Sequence, residues 1–250
     1  ASSGPVPDPT QVLRVGGSVA AIRSAWWVDE DERRYGGLFE QVTRAQVNFD
    51  RGGIANADAD PGLLGLMSRY DHTPDLSKVV LFPARRIDDT TPGITDFEAS
   101  QRMSRLSPAS SKYAGLQLAL VARAGDKAVW SRAQALHDEL CPSAKLAGVN
   151  GVGQLEFTTH AGLRVPLFRL SFSERNAFVF AASVALMGLE RSVLLVDTPE
   201  LGVPVGLAAR WIGALRERTP DAQWIVASRD PEVVGLAGKS GLVDLGRRPS

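Results

Sequence analysis

SVLLVDTPELGVP, residues Ser192 to Pro204, decides how the rest of the chain is read. Four apolar residues, Val193 to Val196, run straight into Asp197. An unbroken apolar run closed by turn residues is the pattern of a strand covered on both faces of a parallel sheet. Such a strand delivers its last residue to the sheet edge where open α/β folds bind ligands. A carboxylate at that edge can hold Mg²⁺ directly or through water. Asp197 could equally start a turn and cap the helix that follows Pro204. Pro199 sets the exit of the chain from the strand, and Glu200 adds a second carboxylate near the edge.

Upstream, Leu170-Ser171-Phe172-Ser173-Glu174 opens a long apolar helical run. Ser171 followed three residues later by Glu174 is a capping box, in which each side chain satisfies a free backbone N–H of the first turn. A helix N-terminus headed by a serine hydroxyl is also an anion site. The two readings are compatible. Downstream, Trp224–Ala227 forms a second apolar strand that ends in Ser228-Arg229-Asp230-Pro231. Arg229 could meet a phosphate with two N–H groups, or face solvent, or pair with a carboxylate. From Glu174 onward the order is helix, strand at Val193–Val196, helix at Val205–Arg218, strand at Trp224–Ala227, a short helix from Pro231, and a strand at Leu242–Leu245. Strands alternating with helices predict an α/β fold with a largely parallel sheet and flanking helices.

The N-terminal third reads differently. Ala1–Thr10 is small, polar and proline-rich, without a basic or apolar signal region, and is read as a disordered lead-in. Val12–Val15 and Val19–Val28 flank Gly16-Gly17 as a hairpin. Asp29–Arg34 reads as a charged turn. Gln41–Val47 is strand-like, Arg51–Pro61 reads as loop from its Gly, Asn and Asp content, and Leu63–Tyr70 as a short helix. Lys78–Phe82 is a compact strand stopped by Pro83. Helices are expected from Asp96 to about Leu106, from Ser110 or Ser111 to about Ala124, and over Lys127–Leu140 behind an Asp126 cap. Gln154–Thr159 and Leu163–Phe168 flank a His160-Ala161-Gly162 turn.

Composition narrows the class. The 250 residues are 44% hydrophobic and 22% charged, with 28 acidic and 28 basic side chains. That balance offers no global field to attract nucleic acid or a membrane surface. No apolar run reaches the roughly 18–20 residues that span a bilayer. Ala177–Leu189 reads instead as a buried helix. The single cysteine, Cys141, excludes an intramolecular disulfide and fits a reducing, cytoplasmic compartment.

From about Lys78 to the C-terminus the chain resembles ABC-type ATPases of the RecF-like and structural-maintenance-of-chromosomes (SMC) branch. Leu170-Ser171-Phe172-Ser173-Glu174 is similar to the L-S-x-G-E that opens the signature helix of that family, with Ser173 at the Gly position. Asp197-Thr198-Pro199-Glu200 is similar to the Walker B ending D-E-P-E. Ser228-Arg229-Asp230-Pro231-Glu232 stands where the family has the switch T-H-S-P-E. Val79–Arg86 looks like the strand before the family's helical insert. The resemblance implies a P-loop NTPase-like fold of ABC type with an N-terminal antiparallel β region and a helical lid. Its divisions are 1–10 lead-in, 11–86 β-rich part of the ATPase lobe, 87–145 lid and 146–250 signature and Walker B lobe. It implies ATP and Mg²⁺ as cofactors, with Asp197 as metal ligand. Ser171, Ser173, Glu174 and Ser228 would meet nucleotide, and Glu200 and Arg229 would take the catalytic places. It implies a homodimer or a related ATPase subunit as partner, and, by analogy only, DNA or an effector protein.

Two departures from that pattern bear on catalysis. Thr198 replaces the carboxylate that polarises the attacking water, and Arg229 replaces the switch histidine. Glu200 lies two residues beyond the expected base, and a displacement of about 1 Å already costs on the order of a hundredfold. The P-loop pattern G-x-x-x-x-G-K-[ST] is absent from the 250 residues. Gly238-Lys239-Ser240 is not one, because Val233 stands where the first glycine belongs. Two functions follow: a degenerate ATPase module that binds Mg-ATP at a dimer interface to control assembly, or a non-catalytic scaffold or regulatory subunit that retains the ATPase fold.

The remaining chemistry-bearing residues carry less. His72, His137 and His160 have no metal-ligand spacing and are expected at surface or turn positions. Cys141 has no His or Asn partner that would make it a nucleophile. Trp26 and Trp27, near Arg23, Arg33 and Arg34, could stack on single-stranded nucleic acid, but core packing and hairpin edge contacts explain them more simply. Arg85-Arg86 reads as a solvated pair.

Overall fold

The computed structural model describes residues 19–72, 79–87, 106, 109–238 and 241–242. The chain divides into two compact units, Ala1–Thr73 and Pro74–Ser250. Among the described residues the strands form three three-stranded sheets, one in the first unit and two in the second.

In the first unit β1 (Val19–Trp27), β2 (Val42–Asp50) and β3 (Gly53–Ala59) form an antiparallel meander. The expected partner strand Val12–Val15 lies outside the described residues, and β1 pairs with β2 instead. Two expectations are corrected here. Asp29–Arg34 is not a turn but the cap and body of helix α1 (Glu30–Gly36). Asp29 and Glu32 form a capping box, Glu30, Asp31 and Glu32 occupy the first turn, and Arg33 and Arg34 the last. That order matches the helix dipole at both ends. Arg51–Pro61 is not all loop, since β3 occupies Gly53–Ala59. An edge strand is held by backbone pairing and leaves its side chains in water, so Asn56 and Asp58 are tolerated despite low strand propensity. Asp50 accepts from the Gly52 N–H at 2.7 Å and makes the turn. Helix α2 (Pro61–His72) follows. Val28, Leu38 and Leu66 form this unit's small buried cluster. Trp26 is half-buried with its indole donating to Ser24 Oγ at 2.8 Å, whereas Trp27 is exposed rather than packed in a core.

The second unit is mixed α/β. β4 (Val79–Phe82), β8 (Val193–Asp197) and β9 (Gln223–Ala227) make a parallel sheet with β8 in the centre. β5 (Ala144–Val149), β6 (Leu155–Thr159) and β7 (Arg164–Pro166) make an antiparallel one. Between them runs helix α5 (Phe172–Leu186), on which every residue from Asn176 to Ala185 is buried. Phe180 meets Phe82 of β4 at 5.0 Å between ring centroids, and Phe178 meets Phe157 of β6 at 5.9 Å. A helix with sheets on two sides must be apolar all round, which is why Ala177–Leu189 has no polar face.

Helices α3 (Leu116–Ala122), α4 (Lys127–Leu140), α6 (Leu207–Arg218) and α7 (Pro231–Gly235) complete the unit. Asp126 caps α4, accepting from the N–H groups of Ala128 and Val129. α3 is capped by Gly115 without a side-chain bond, and Ser110 and Ser111 lie in a 3₁₀ turn before it. α4, expected in a lid, contributes Ala133, Leu136 and Leu140 to the common core. Trp211 of α6 is buried there and donates its indole N–H to the Leu140 carbonyl at 2.7 Å. His137 is also wholly buried rather than at the surface, beside the Phe157 ring at 5.1 Å. The helix from Asp96 lies outside the described residues apart from Leu106, and the strand at Leu242–Leu245 apart from Leu242. No helix among the described residues is long and apolar enough to cross a membrane.

Candidate functional site

β8 ends at Asp197, whose side chain is exposed at the C-terminal rim of the parallel sheet. The rim then tightens. The Thr198 N–H extends the ladder to the Ala227 carbonyl at 2.8 Å, and Thr198 turns into the left-handed region with φ 46°. For a β-branched residue that backbone is strained. The Thr198 hydroxyl donates to Asp197 Oδ1 at 2.8 Å. Asp197 pairs with Ala227 across the sheet, so the loops after β8 and β9 leave side by side.

Glu200 joins these loops. Its Oε2 accepts from the Ser228 hydroxyl at 2.9 Å and its Oε1 from the Arg229 N–H at 2.8 Å. Both oxygens of the carboxylate expected to serve as base are engaged in holding the neighbouring loop. Ser228 Oγ accepts in turn from the Asp230 N–H at 3.0 Å. The Arg229 side chain is exposed.

The head of α5 reaches the same loop. A side chain on Gly202, which has φ 69°, would overlap the Phe172 ring. Asn176 Nδ2 donates to the Leu201 carbonyl at 3.5 Å. Ser171 and Glu174 form the capping box: Ser171 Oγ accepts from the Glu174 N–H at 3.4 Å, and Glu174 Oε2 accepts from the Ser171 N–H at 2.7 Å. Ser173 Oγ lies 3.3 Å from Ser171 Oγ. Glu174 Oε1 also accepts from Ser143 Oγ at 2.6 Å. Burial pushes the Glu174 carboxyl up, but the Ser143 and Ser171 hydrogen bonds outweigh it and hold it below the usual range. Cys141, buried beside Ser143, has its thiol pushed up by that burial, which suits a structural cysteine.

Beneath the rim lies a residue that sequence reasoning misplaced. Arg85 is exposed, but Arg86 is wholly buried, so the two are not a solvated pair. Arg86 Nη1 donates to the carbonyls of Pro83 at 2.8 Å and Asp197 at 3.0 Å. Its Nη2 donates to the carbonyls of Thr198 at 3.3 Å and Pro199 at 3.4 Å. Its Nε donates to Asn176 Oδ1 at 3.3 Å. Burial lowers its pKa to about 10, against the pull of Tyr113, Asp197 and Glu200, so it stays cationic at neutral pH. Only its place after a strand that stops at a proline hinted at this, and a surface arginine has the same local signature.

Asp197 and the Thr198 hydroxyl are hard oxygen donors of the kind Mg²⁺ takes, and Mg²⁺ at nucleotide sites draws on one or two carboxylates with the phosphates supplying the rest. No group of three or more His, Cys, Asp or Glu that could hold a metal occurs among the described residues. Asp197 with the Thr198 hydroxyl is the oxygen pair at this rim that could contribute to such a site. Lys239 and Ser240 lie outside the described residues.

No protein-family model matches the chain, and no curated protein matches it in sequence. Solved structures do match in fold. An SMC head bound to the C-winged helix domain of ScpA superposes over 87% of this chain and 68% of its own, at TM-score 0.55 and 16% identity. An SMC head domain with an extended coiled coil, bound to the C-terminal domain of ScpA from Pyrococcus furiosus, covers 88% of this chain and 72% of its own, at TM-score 0.51 and 15% identity. The chain has a mixed α/β fold of the SMC-head type.

Proposed function

We propose that the second unit is an ABC-type head module that binds Mg-nucleotide through Asp197 and turns it over slowly or not at all. Nucleotide would control engagement with a second head-like subunit. Mg²⁺ would neutralise phosphate charge at the rim. Asp197 would bind the metal, and Ser171 and Ser173 at the head of α5 would present hydroxyls and backbone N–H groups to a phosphate held by the partner. The observation that carries this reading is the pairing of an exposed Asp197 with a Glu200 whose two oxygens are committed to Ser228 and Arg229. Asp197 is exposed with one oxygen accepting from the Thr198 hydroxyl, while both oxygens of Glu200 are engaged and not poised to polarise water.

Calorimetric titration of the chain with Mg-ATP, beside Asp197→Ala, tests it. Saturable, Mg²⁺-dependent binding that Asp197→Ala abolishes, with no phosphate release, is expected. Hydrolysis gained by Thr198→Glu would strengthen the Walker B assignment. Equal absence of binding in both forms overturns the proposal and leaves the second reading, a scaffold that keeps the fold to bind a partner protein. That reading draws on the absent G-x-x-x-x-G-K-[ST] pattern and on the ScpA domains carried by the two SMC heads.

A further inference from the structure

We propose that Arg86 is a positioning residue that locks the metal-binding end of β8 to the head of α5, so that the two halves of the candidate site move as one body. The functional half of this inference rests on the reading of Asp197 as a metal ligand; the mechanical half rests on geometry alone.

A guanidinium has five N–H donors in a fixed plane. Arg86 makes five hydrogen bonds, and the acceptors are four backbone carbonyls and one amide oxygen. Three of the carbonyls belong to the consecutive residues Asp197, Thr198 and Pro199. Turning three successive carbonyls onto one cation demands a sharp bend, and Thr198 at φ 46° stands at that bend. The fourth carbonyl, from Pro83, ties in the end of β4. The amide of Asn176 brings in α5 and itself reaches on to Leu201. Arg86 also lies 5.1 Å over the Phe180 ring, so the same helix holds it twice.

A buried cation is costly to desolvate unless hydrogen bonds satisfy its protons, as five do for Arg86. Lysine retains the charge but is a point donor on a flexible stem and cannot reproduce a planar fan. The substitution of a residue that orients a metal ligand typically lowers metal affinity about 10–100-fold. Arg86→Lys should therefore weaken Mn²⁺ binding in the presence of a non-hydrolysable ATP analogue by that factor.

The experiment compares wild type, Arg86→Lys and Arg86→Ala by Mn²⁺ electron paramagnetic resonance with the analogue present. Hydrogen exchange of the Thr198, Leu201 and Val203 amides is followed in parallel. The expected result is weaker Mn²⁺ binding in both variants, rescue of Arg86→Ala by millimolar guanidinium but not by ammonium, and faster exchange at 198–203 with β9 unchanged. Wild-type Mn²⁺ affinity in Arg86→Lys, or rescue by ammonium as well, overturns the positioning role. If wild type binds no Mn²⁺ with the analogue, the reading of Asp197 fails. The exchange data then decide the mechanical half: uniform protection across 198–203 in wild type and Arg86→Lys would refute it. If Arg86→Ala does not fold, Arg86→Lys carries both arms.

Discussion

Replacing Glu200 separates a catalytic carboxylate from a structural one. In the structure Glu200 accepts from the Ser228 hydroxyl and the Arg229 N–H at 2.9 and 2.8 Å, in a half-buried position. Hydrogen bonds to a charged group contribute about 1.5–3 kcal/mol each, and the partial exposure of this site places the pair toward the lower end, about 2–4 kcal/mol together. Glu200→Ala removes both acceptors and leaves the Arg229 N–H without its partner. Glu200→Gln keeps one oxygen for that N–H and should cost only about 1 kcal/mol. For a unit of this size each kcal/mol moves the melting midpoint by roughly 2–4 °C, so Glu200→Ala should melt about 4–16 °C below wild type. Thermal melts followed by circular dichroism read that shift, and hydrogen exchange at the Arg229 amide localises it. A carboxylate held in reserve for catalysis would behave in the opposite way, since removing it relieves local repulsion and leaves stability level or higher. A Glu200→Ala protein that melts within about 1 °C of wild type, with unchanged exchange at Arg229, would refute the structural assignment.

Three further outcomes rest on other buried contacts. Lys112 is buried with its ammonium donating to the Leu81 carbonyl, and burial lowers its pKa from 10.5 to about 7. Between those values the unfolded chain holds a proton that the folded chain lacks, so this group makes stability rise from pH 7 toward pH 10 and Lys112→Met should flatten that rise in urea melts. Gly202→Ala places a methyl against the Phe172 ring at a backbone φ of 69°, and should destabilise by about 1–3 kcal/mol by urea denaturation. Trp211→Phe strips the Leu140 carbonyl of its buried indole donor at 2.7 Å, and should cost about 1–3 kcal/mol in the same assay.

The elements legible in the sequence are those whose signals are local. The apolar run Val193–Val196 ending in Asp197, the Asp126 cap and the Ser171–Glu174 box each depend on residues within a few positions, and each stands where the pattern puts it. Asp29–Arg34 carried the same kind of signal, Asp29 with Glu32, and its density of charge hid a capped helix. β3 was illegible for a different reason. Its Asn and Asp side chains face water, and only pairing with β2 makes Gly53–Ala59 a strand.

The candidate site divides along the same line. Sequence alone determined which residues stand at the ends of β8 and β9 and at the head of α5, because chain direction and strand length are local properties. Tertiary structure decided what those residues are free to do. It engaged both oxygens of Glu200 with the neighbouring loop, bent Thr198 into the left-handed region, and drew Arg86 out of solvent to bind the carbonyls of a segment 111 to 113 residues away. No local pattern encodes a hydrogen bond across that separation, since its acceptors exist only once the parallel sheet has brought the exits of β4 and β8 together.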